Sequence, residues 1–358
     1  MKKLDFYILK KFLTAFIFIV IILVLIIVVI DFTEKNDDFI RKKVSSSAIF
    51  NDYYRNFALF LSDMLSPITV FIATVFVTAQ LATRTEIIAM LSTGMSFRRF
   101  MRPYIIGASL IGIGIFFLTG WFIPNANKIR VEFERTYLKQ EFYFTDRNVH
   151  IKIAPDVYAY LESYNNANDI GIRFTLEKVL NNKLTEKLEA QQIAWQADKK
   201  RWMLDNCKLR TFNGIQESVK NIQRIDTTLN LLPKDFKSQY LEYQKFTLPE
   251  LENKITELEQ RGADDVAAYQ IEKYQRFAKP FAIIILTCMG VIVSARKSRG
   301  GVGFQIAFGF VLAFVYILFF MLSTGTAQKG GIPPMLAVWL PNIVFSAVGV
   351  VLYYTVPR

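Results

Sequence analysis

Residues 12–30 read FLTAFIFIVIILVLIIVVI, and none of these 19 side chains carries a charge. A helix that crosses the hydrocarbon core of a bilayer needs about 20 predominantly apolar residues. The stretch therefore predicts a membrane-spanning helix. The residues that follow it, Asp31-Phe32-Thr33-Glu34-Lys35, contain no small-residue cleavage pattern. We therefore interpret it as a retained span and not as a signal peptide.

Further stretches along the chain have the length and apolar character of membrane spans. The least typical of them begins at residue 277, because Lys279 and Pro280 fall in its first turn. A lysine near a helix end can extend its ammonium group to the membrane surface. The chain thus has six predicted spans, the first and five more at about 60–82, 104–122, 277–295, 302–324 and 332–354.

The composition excludes several classes of protein. The chain has 358 residues, of which 52% are hydrophobic, and it contains two cysteines and one histidine. This argues against a disordered chain and against a disulfide-stapled module. It also leaves too few ligands for a typical zinc site. The sequence lacks the GxxxxGK[ST], GxSxG and HExxH motifs. We therefore expect no enzymatic activity, no nucleotide site, no metal and no cofactor.

The distribution of basic residues predicts the orientation in the membrane. With the N-terminus in the cytoplasm, the cytoplasmic segments hold twelve basic residues and two acidic ones. Cytoplasmic loops are enriched in lysine and arginine, so both termini are predicted to be cytoplasmic. Residues 123–276, predicted to lie outside, hold 24 basic and 23 acidic residues. The net charge of +12 therefore reflects topology and does not indicate nucleic acid binding.

The segment between the third and fourth predicted spans has a different pattern. Short alternating or aromatic-rich runs, such as VHIKI (149–153) and IRFTLEKVL (172–180), are separated by turn residues such as Asn181-Asn182. Seven or more short strands at this spacing predict an antiparallel sandwich, jelly roll or open barrel. Alternation predicts that eight side chains point into its interior: Phe142, Phe144, Ile151, Ile153, Tyr158, Tyr160, Phe174 and Trp195.

A helix is predicted after this segment, over 248–276. Leu251, Ile255 and Leu258 recur at helical spacing, and Thr247 and Pro249 are typical of a helix start. The predicted fold is an α-helical membrane protein with six transmembrane helices and an inserted all-β, jellyroll-like domain. The first part, residues 1–122, holds three spans and a cytoplasmic helix at 84–102. The β domain follows over 123–247, the connecting helix over 248–276, and three more spans over 277–358.

The loop between the second and third spans contains a short amphipathic helix. Ile87, Met90 and Leu91 form an apolar stripe at i, i+3 and i+4 spacing, and Glu86 lies near the start of the helix. One interpretation is that the stripe fills a groove on a partner and that Glu86 pairs with a basic residue there. The other is a helix on the membrane surface, anchored by the arginines at 98, 99 and 102. Periodicity does not separate the two.

Basic residues recur just outside the predicted membrane boundary. Lys35, Lys128, Arg130 and Arg135 could hold an anionic lipid headgroup at the outer leaflet. Ordinary solvated charge is the alternative interpretation. Position alone favours solvated charge.

Several motifs together resemble one family, the LptF/LptG (YjgP/YjgQ) permeases of lipopolysaccharide export. The resemblance covers nearly the whole chain, and its start, LDFYILKKF (4–12), together with DFTEKNDDF (31–39), is closer to LptG than to LptF. The motifs are TEIIAMLSTGMSFRR (85–99), Arg276 with Pro280, SARKSRGG (294–301) and GGIPPMLAVWLPN (330–342).

The resemblance implies a half-transporter in the bacterial inner membrane that pairs with a paralogous LptF/LptG subunit. A cytoplasmic LptB-like ATPase dimer would dock on the coupling helix, where Glu86 matches the glutamate that contacts the ATPase. The pair would extract lipopolysaccharide and pass it to LptC-like and LptA-like β proteins in the periplasm. Basic residues at the outer end of the first span contact lipid phosphates in the family, which here corresponds to Lys35, with Arg130 and Arg135 as further candidates.

Two other functions remain open from the residues alone. A secondary transporter needs ionisable groups near the membrane midplane, whereas Asp63 and Lys279 lie towards the outer ends of their spans. A membrane scaffold or signalling subunit that transports nothing is also compatible with six spans and a docking helix.

Overall fold

The computed structural model describes residues 3–138, 144, 146–181, 183–213, 216–236, 241–261, 265–295 and 301–355. The chain divides into two units. The helical unit comprises 1–138, 243–252 and 267–358, and the sheet unit comprises 139–242 and 253–266. The basic loop at 296–300 and the predicted interior residue Phe142 lie outside the described residues.

The helices alternate with short π-helical turns at three places, Ile49–Tyr54, Leu118–Phe122 and Glu134–Leu138. The α-helices are α1 (Lys3–Arg41), α2 (Ser46–Ala48), α3 (Arg55–Met64), α4 (Ser66–Thr83), α5 (Glu86–Ser92), α6 (Phe97–Phe117), α7 (Ile123–Phe133), α8 (Leu248–Arg261), α9 (Val266–Ser294), α10 (Gly301–Gln328) and α11 (Pro334–Thr355).

Six helical stretches in the described part of the chain are long and apolar enough to cross a membrane. This confirms the predicted number of spans. The structure differs at two boundaries. The third stretch runs from residue 97 to residue 138, because π-helical turns carry the chain on beyond residue 123, where the β domain was predicted to begin. The single connecting helix predicted over 248–276 is two helices, α8 and α9, and α9 continues into the fourth span.

Aromatic packing joins the first and third spans. Phe12, Phe100 and Tyr104 are fully buried, and the rings of Phe12 and Tyr104 lie 5.4 Å apart. The Thr78 hydroxyl of α4 donates a hydrogen bond of 3.0 Å to the Tyr104 hydroxyl. A methyl group at Gly107 would come within 2.8 Å of the Phe12 ring, so glycine permits this close approach of α1 and α6.

The sheet unit is a single antiparallel sheet whose six described strands are ordered as they occur in the chain. Consecutive antiparallel strands need only hairpin connections, which matches the turn residues seen in the sequence. This order is that of a meander, and the crossing connections of a jelly roll do not occur among these strands. The strands are β1 (Val149–Ala154), β2 (Val157–Asn165), β3 (Ile170–Leu180), β4 (Lys183–Gln196), β5 (Arg201–Asn213) and β6 (Gln216–Thr227).

One face of the sheet carries an apolar core. Leu161 pairs with Phe174, and Phe174 pairs with Ala190 on the next strand. The buried Trp202 donates its indole N–H to the Leu231 carbonyl at 2.7 Å. Five of the predicted interior residues belong to this core or pack against it: Phe144, Ile151, Ile153, Phe174 and Trp195.

The prediction was wrong for Tyr158 and Tyr160. In β2 the buried positions are Ala159, Leu161 and Tyr164, and Tyr158 is 40% exposed. Successive strand residues point to opposite faces, so a one-residue error in register reverses the whole assignment. The large aromatic rings suggested the interior, but the small Ala159 is the residue that faces it.

Candidate functional site

The α5 helix connects the second and third apolar helices through a tight link. Thr85 precedes it with a φ of 62°, a left-handed conformation that is unusual for a β-branched residue. Gly94 follows it with a φ of 84°, where glycine is favoured because it has no Cβ atom. These two turns fix the direction of α5 relative to α4 and α6.

The buried face of α5 is turned towards the rest of the chain. Ile87 and Met90 are 2% and 8% exposed, and they belong to the same apolar cluster as Ile8, Phe97 and Phe100. Leu91 is half-buried against that cluster. The expectation that this stripe fills a groove on a partner was therefore wrong for Ile87 and Met90. Periodicity identifies an apolar face but does not say which surface covers it.

The apolar side chain that α5 presents outward is Ile88, which is 58% exposed. It follows the buried Ile87 in sequence and lies about 100° further round the helix. Ala89 and Ser92 are exposed with it. A partner that approaches α5 would meet this surface.

Glu86 ties α5 to the first helix. Its Oε2 accepts a hydrogen bond of 3.1 Å from the Tyr7 hydroxyl, and its Oε1 lies 3.8 Å from Lys11 Nζ. Lys11 Nζ lies 4.4 Å from the centre of the Tyr7 ring. The Glu86 side chain is 27% exposed, so it remains within reach of a partner while it holds these contacts.

The arginines that follow α5 have partners on other elements. Arg98 Nε donates a hydrogen bond of 3.1 Å to the Tyr353 hydroxyl of α11, and Arg99 lies 3.9 Å from the Asp5 carboxylate of α1. The start of α6 is thereby connected to both the first and the last helix. The sequence predicted where α5 and its flanking arginines lie along the chain. It did not predict the contacts of these arginines with α11 and α1.

Lys35 belongs to an internal polar network at the end of α1. Its ammonium group donates to Asp31 Oδ1 at 2.6 Å and to the Tyr53 hydroxyl. Asp31 Oδ2 also accepts from the hydroxyls of Tyr53 and Tyr54, at 3.1 and 3.2 Å. Burial, followed by the negative charge of Asp31, raises the pKa of both tyrosines. Lys35 thus holds the chain after α1 against the end of that helix.

Arg130 is buried, with an exposed fraction of 2%. Its guanidinium donates to Asn127 Oδ1 at 3.1 Å, to Glu134 Oε1 at 2.8 Å and to Gln244 Oε1 at 2.9 Å. It also lies 4.1 Å from the centre of the Phe60 ring. These contacts engage all three nitrogens of the guanidinium and one of its faces. Arg130 therefore has a structural role in this conformation.

Arg135 is the most accessible of the three predicted lipid contacts. Its side chain is 38% exposed and pairs with Glu132 at 2.8 Å. Lys35, Arg130 and Arg135 are thus each paired with a different carboxylate, from Asp31, Glu134 and Glu132. Whether these three residues line a lipid entrance stays a prediction.

Sequence reasoning missed a buried ion pair between α3 and α9. Lys279 Nζ donates to both carboxylate oxygens of Asp63 at 2.7 Å, and the two side chains are 9% and 13% exposed. The sequence did contain a signal for this pair, because the two opposite charges lie at matching ends of two predicted spans. Nearby, Arg276 donates to the Phe246 carbonyl at 2.8 Å and to Glu272 at 3.0 Å.

The described residues contain no group of three or more histidine, cysteine or acidic side chains that could hold a metal ion. Both cysteines, Cys207 and Cys288, are free thiols.

Comparison with known proteins gives a result for the whole chain. No curated protein matched the chain in a sequence comparison. The family model described as lipopolysaccharide export system permease LptF/LptG matches residues 6–355. Members of this family are transport subunits, and the six apolar helices fit a multi-pass inner membrane protein. The chain therefore belongs to the LptF/LptG family of lipopolysaccharide export permeases.

Proposed function

We propose that the protein is the permease half of an ABC-type exporter that extracts lipopolysaccharide from the inner membrane. Its energy would come from an LptB-like ATPase dimer, and its second half would be a paralogous LptF/LptG subunit. LptC-like and LptA-like β proteins would receive the lipid in the periplasm. The family match over residues 6–355 is the observation that carries this proposal.

The geometry of α5 supports a specific route for the energy. Ile87 and Met90 lie in one apolar cluster with side chains of α1, α4, α6 and α9. A force applied to the outer surface of α5 would therefore reach four spans through direct packing, since close-packed interiors transmit displacement. We assign the docking contact to Glu86 and Ile88, and the transmission to Ile87, Met90 and the half-buried Leu91.

The order of the spans along the chain supports one orientation. Segment 84–96 lies between the second and third spans, whereas the sheet unit follows the third. Odd and even connections between spans lie on opposite membrane faces. With the positive-inside bias, α5 and both termini would be cytoplasmic and the sheet would be periplasmic.

For the lipid, we assign different roles to the three basic residues. Arg135 is exposed enough to meet a headgroup phosphate by exchanging its partner Glu132. Lys35 and Arg130 would act indirectly, by holding the outer ends of α1 and α7 in place through Asp31 and Glu134. The apolar face of the sheet around Phe174 and Trp202 would then receive acyl chains.

Reconstitution distinguishes this function from its alternatives. Vesicles would contain the chain, its paralogous subunit and the ATPase, with lipopolysaccharide transfer to an added β acceptor as the readout. Export predicts transfer that requires ATP. Transfer driven by a proton gradient without ATP would indicate a secondary transporter, and an assembled complex that transfers no lipid would indicate a scaffold.

A further inference from the structure

Two cavities share part of their lining. The first lies among α3, α7, α9 and α10, and the second lies among α3, α4, α9, α10 and α11. The first, of about 220 Å³, contains charged groups, among them Asp63, Arg276 and Lys279. The second, of about 360 Å³, is lined mainly by apolar side chains such as Ile68, Ala282 and Ile317. Both cavities are lined by the same four residues on one side: Met64, Gln275, Lys279 and Phe320. Together they form an amphipathic space.

The charges in the polar cavity are balanced in pairs. Lys279 is held by Asp63 and Arg276 by Glu272, each in a pair that is largely buried. Burying an ion pair carries a desolvation cost that a good geometry only partly offsets. Two cations beside two carboxylates would suit a headgroup that itself carries both signs.

The apolar cavity has the size and composition of a ligand site. Cavities of about 300–1,000 Å³ with mostly apolar walls and a few polar groups are typical of small-molecule sites. Apart from Met64 and Leu65, its wall residues lie on helices long and apolar enough to span the membrane. Met64 and Met321 line it and are 51% and 63% exposed, and methionine adapts readily to a flexible ligand.

We propose that the apolar cavity holds one acyl chain of a resident zwitterionic phospholipid. The phosphate of this lipid lies at Lys279 and its ammonium group at Asp63 or Glu272. A cavity of about 360 Å³ suits a single chain, whereas the exported lipopolysaccharide carries several. The site lies within one chain, and it does not depend on the proposed export function.

Native mass spectrometry of the full-length chain tests this directly. The protein would be reconstituted in nanodiscs of phosphatidylethanolamine with added lipopolysaccharide and then transferred to detergent. Wild-type protein is expected to retain one phosphatidylethanolamine per chain. Ile317→Trp fills the cavity and should lower retention roughly tenfold. Leu318→Trp is the matched control, because Leu318 is 42% exposed and does not line the cavity.

A second pair of variants serves if Ile317→Trp does not fold. Met321→Trp obstructs the exposed side of the cavity, and Leu322→Trp, at a residue that is 70% exposed, is its control. Loss of the lipid in Met321→Trp alone supports the proposal. Equal retention in both variants, no retained lipid in the wild type, or retained lipopolysaccharide in place of phospholipid would each overturn it.

Discussion

The Tyr7 hydroxyl donates a hydrogen bond of 3.1 Å to the carboxylate of Glu86, 79 residues further along the chain. This bond joins the start of the first span to the first residue of α5. If the Glu86 carboxylate also contacts a partner, a movement of that partner would be transmitted to α1 through this bond. With the proposed docking contact, Glu86 would have two separable roles, one internal and one external.

Substitutions at both ends of this bond separate the two roles. Tyr7→Phe removes only the internal bond and should cost about 1 kcal/mol of folding free energy, with ATPase binding retained. Glu86→Ala removes both contacts and should also reduce lipopolysaccharide transfer at unchanged expression. Pull-down of the ATPase and vesicle transfer would be measured for each variant. Equal transfer defects in Tyr7→Phe and Glu86→Ala would mean that Glu86 acts only inside the chain.

Arg130 and Arg135 should respond differently to removal. Arg130→Met leaves Glu134 buried without its partner and should destabilise the protein by about 3–5 kcal/mol, measured by thermal unfolding in detergent. Glu134→Gln in the Arg130→Met background should recover part of this loss. Arg135→Ala breaks only an exposed pair and should change stability by less than about 1 kcal/mol.

Lipid crosslinking completes the comparison of these arginines. A photoreactive lipopolysaccharide should label Arg135→Ala protein less than wild type, because the accessible cation is missing. Lys128→Ala is the control, since Lys128 is also an exposed cation, lies on the preceding α7 and pairs with Glu250. Undiminished labelling of the Arg135→Ala variant would show that Arg135 is an ordinary solvated charge.

The start of α8 should show a defined pH dependence. Glu250 accepts from the Thr247 N–H at 2.8 Å, and this bond, then the Thr247 hydroxyl and Lys128, lower the pKa of Glu250. Because the pKa is lower in the folded state, the stabilisation is complete above the ordinary value of about 4.3. It is lost as the pH falls from there through the folded-state pKa.

Hydrogen exchange of the α8 amides would measure this effect. Glu250→Gln should weaken the start of α8 by about 1 kcal/mol at neutral pH and abolish the acid-dependent loss of protection. Glu257→Gln is the matched control, because Glu257 lies on the same helix and forms a surface pair with Lys254 at 3.1 Å. A pH response that persists in Glu250→Gln would assign it to another group.

The proposed orientation can be tested with single cysteines. Ser218 in β6 and Ser92 in α5 are both exposed, and they are predicted to lie on opposite sides of the membrane. In a parent with Cys207 and Cys288 replaced by alanine, a membrane-impermeant maleimide should label Ser218→Cys in intact spheroplasts. Ser92→Cys should react only after permeabilisation. The reverse pattern would contradict the cytoplasmic position of α5.

The sequence predicted those features that depend on local patterns. Charge-free runs identified the spans, alternation identified the strands, and the start signals at Thr247 and Pro249 identified α8, which begins at Leu248. Each of these signals acts over a few residues and carries its own periodicity.

Features that depend on distant partners could not be predicted in this way. Asp63 and Lys279 are separated by 216 residues, and no local pattern pairs them. The apolar stripe of α5 was visible, but whether Ile87 met a partner or its own core depended on the packing of four other helices. In β2, Ala159 faces the core although Tyr158 and Tyr160 have larger apolar surfaces. Which side chains face the core depends on the strand register, and neighbouring strands set that register.

Ile88→Asp is the sharpest test of the proposal that the exposed surface of α5 receives the ATPase and drives export. ATP-dependent lipopolysaccharide transfer from reconstituted vesicles would be compared with Thr93→Asp, which places the same charge at an exposed polar position nearby. We expect the Ile88→Asp protein to fold normally but to lose ATPase binding and transfer. The Thr93→Asp protein should retain both. Normal ATPase binding and normal transfer in the Ile88→Asp variant would contradict the proposal.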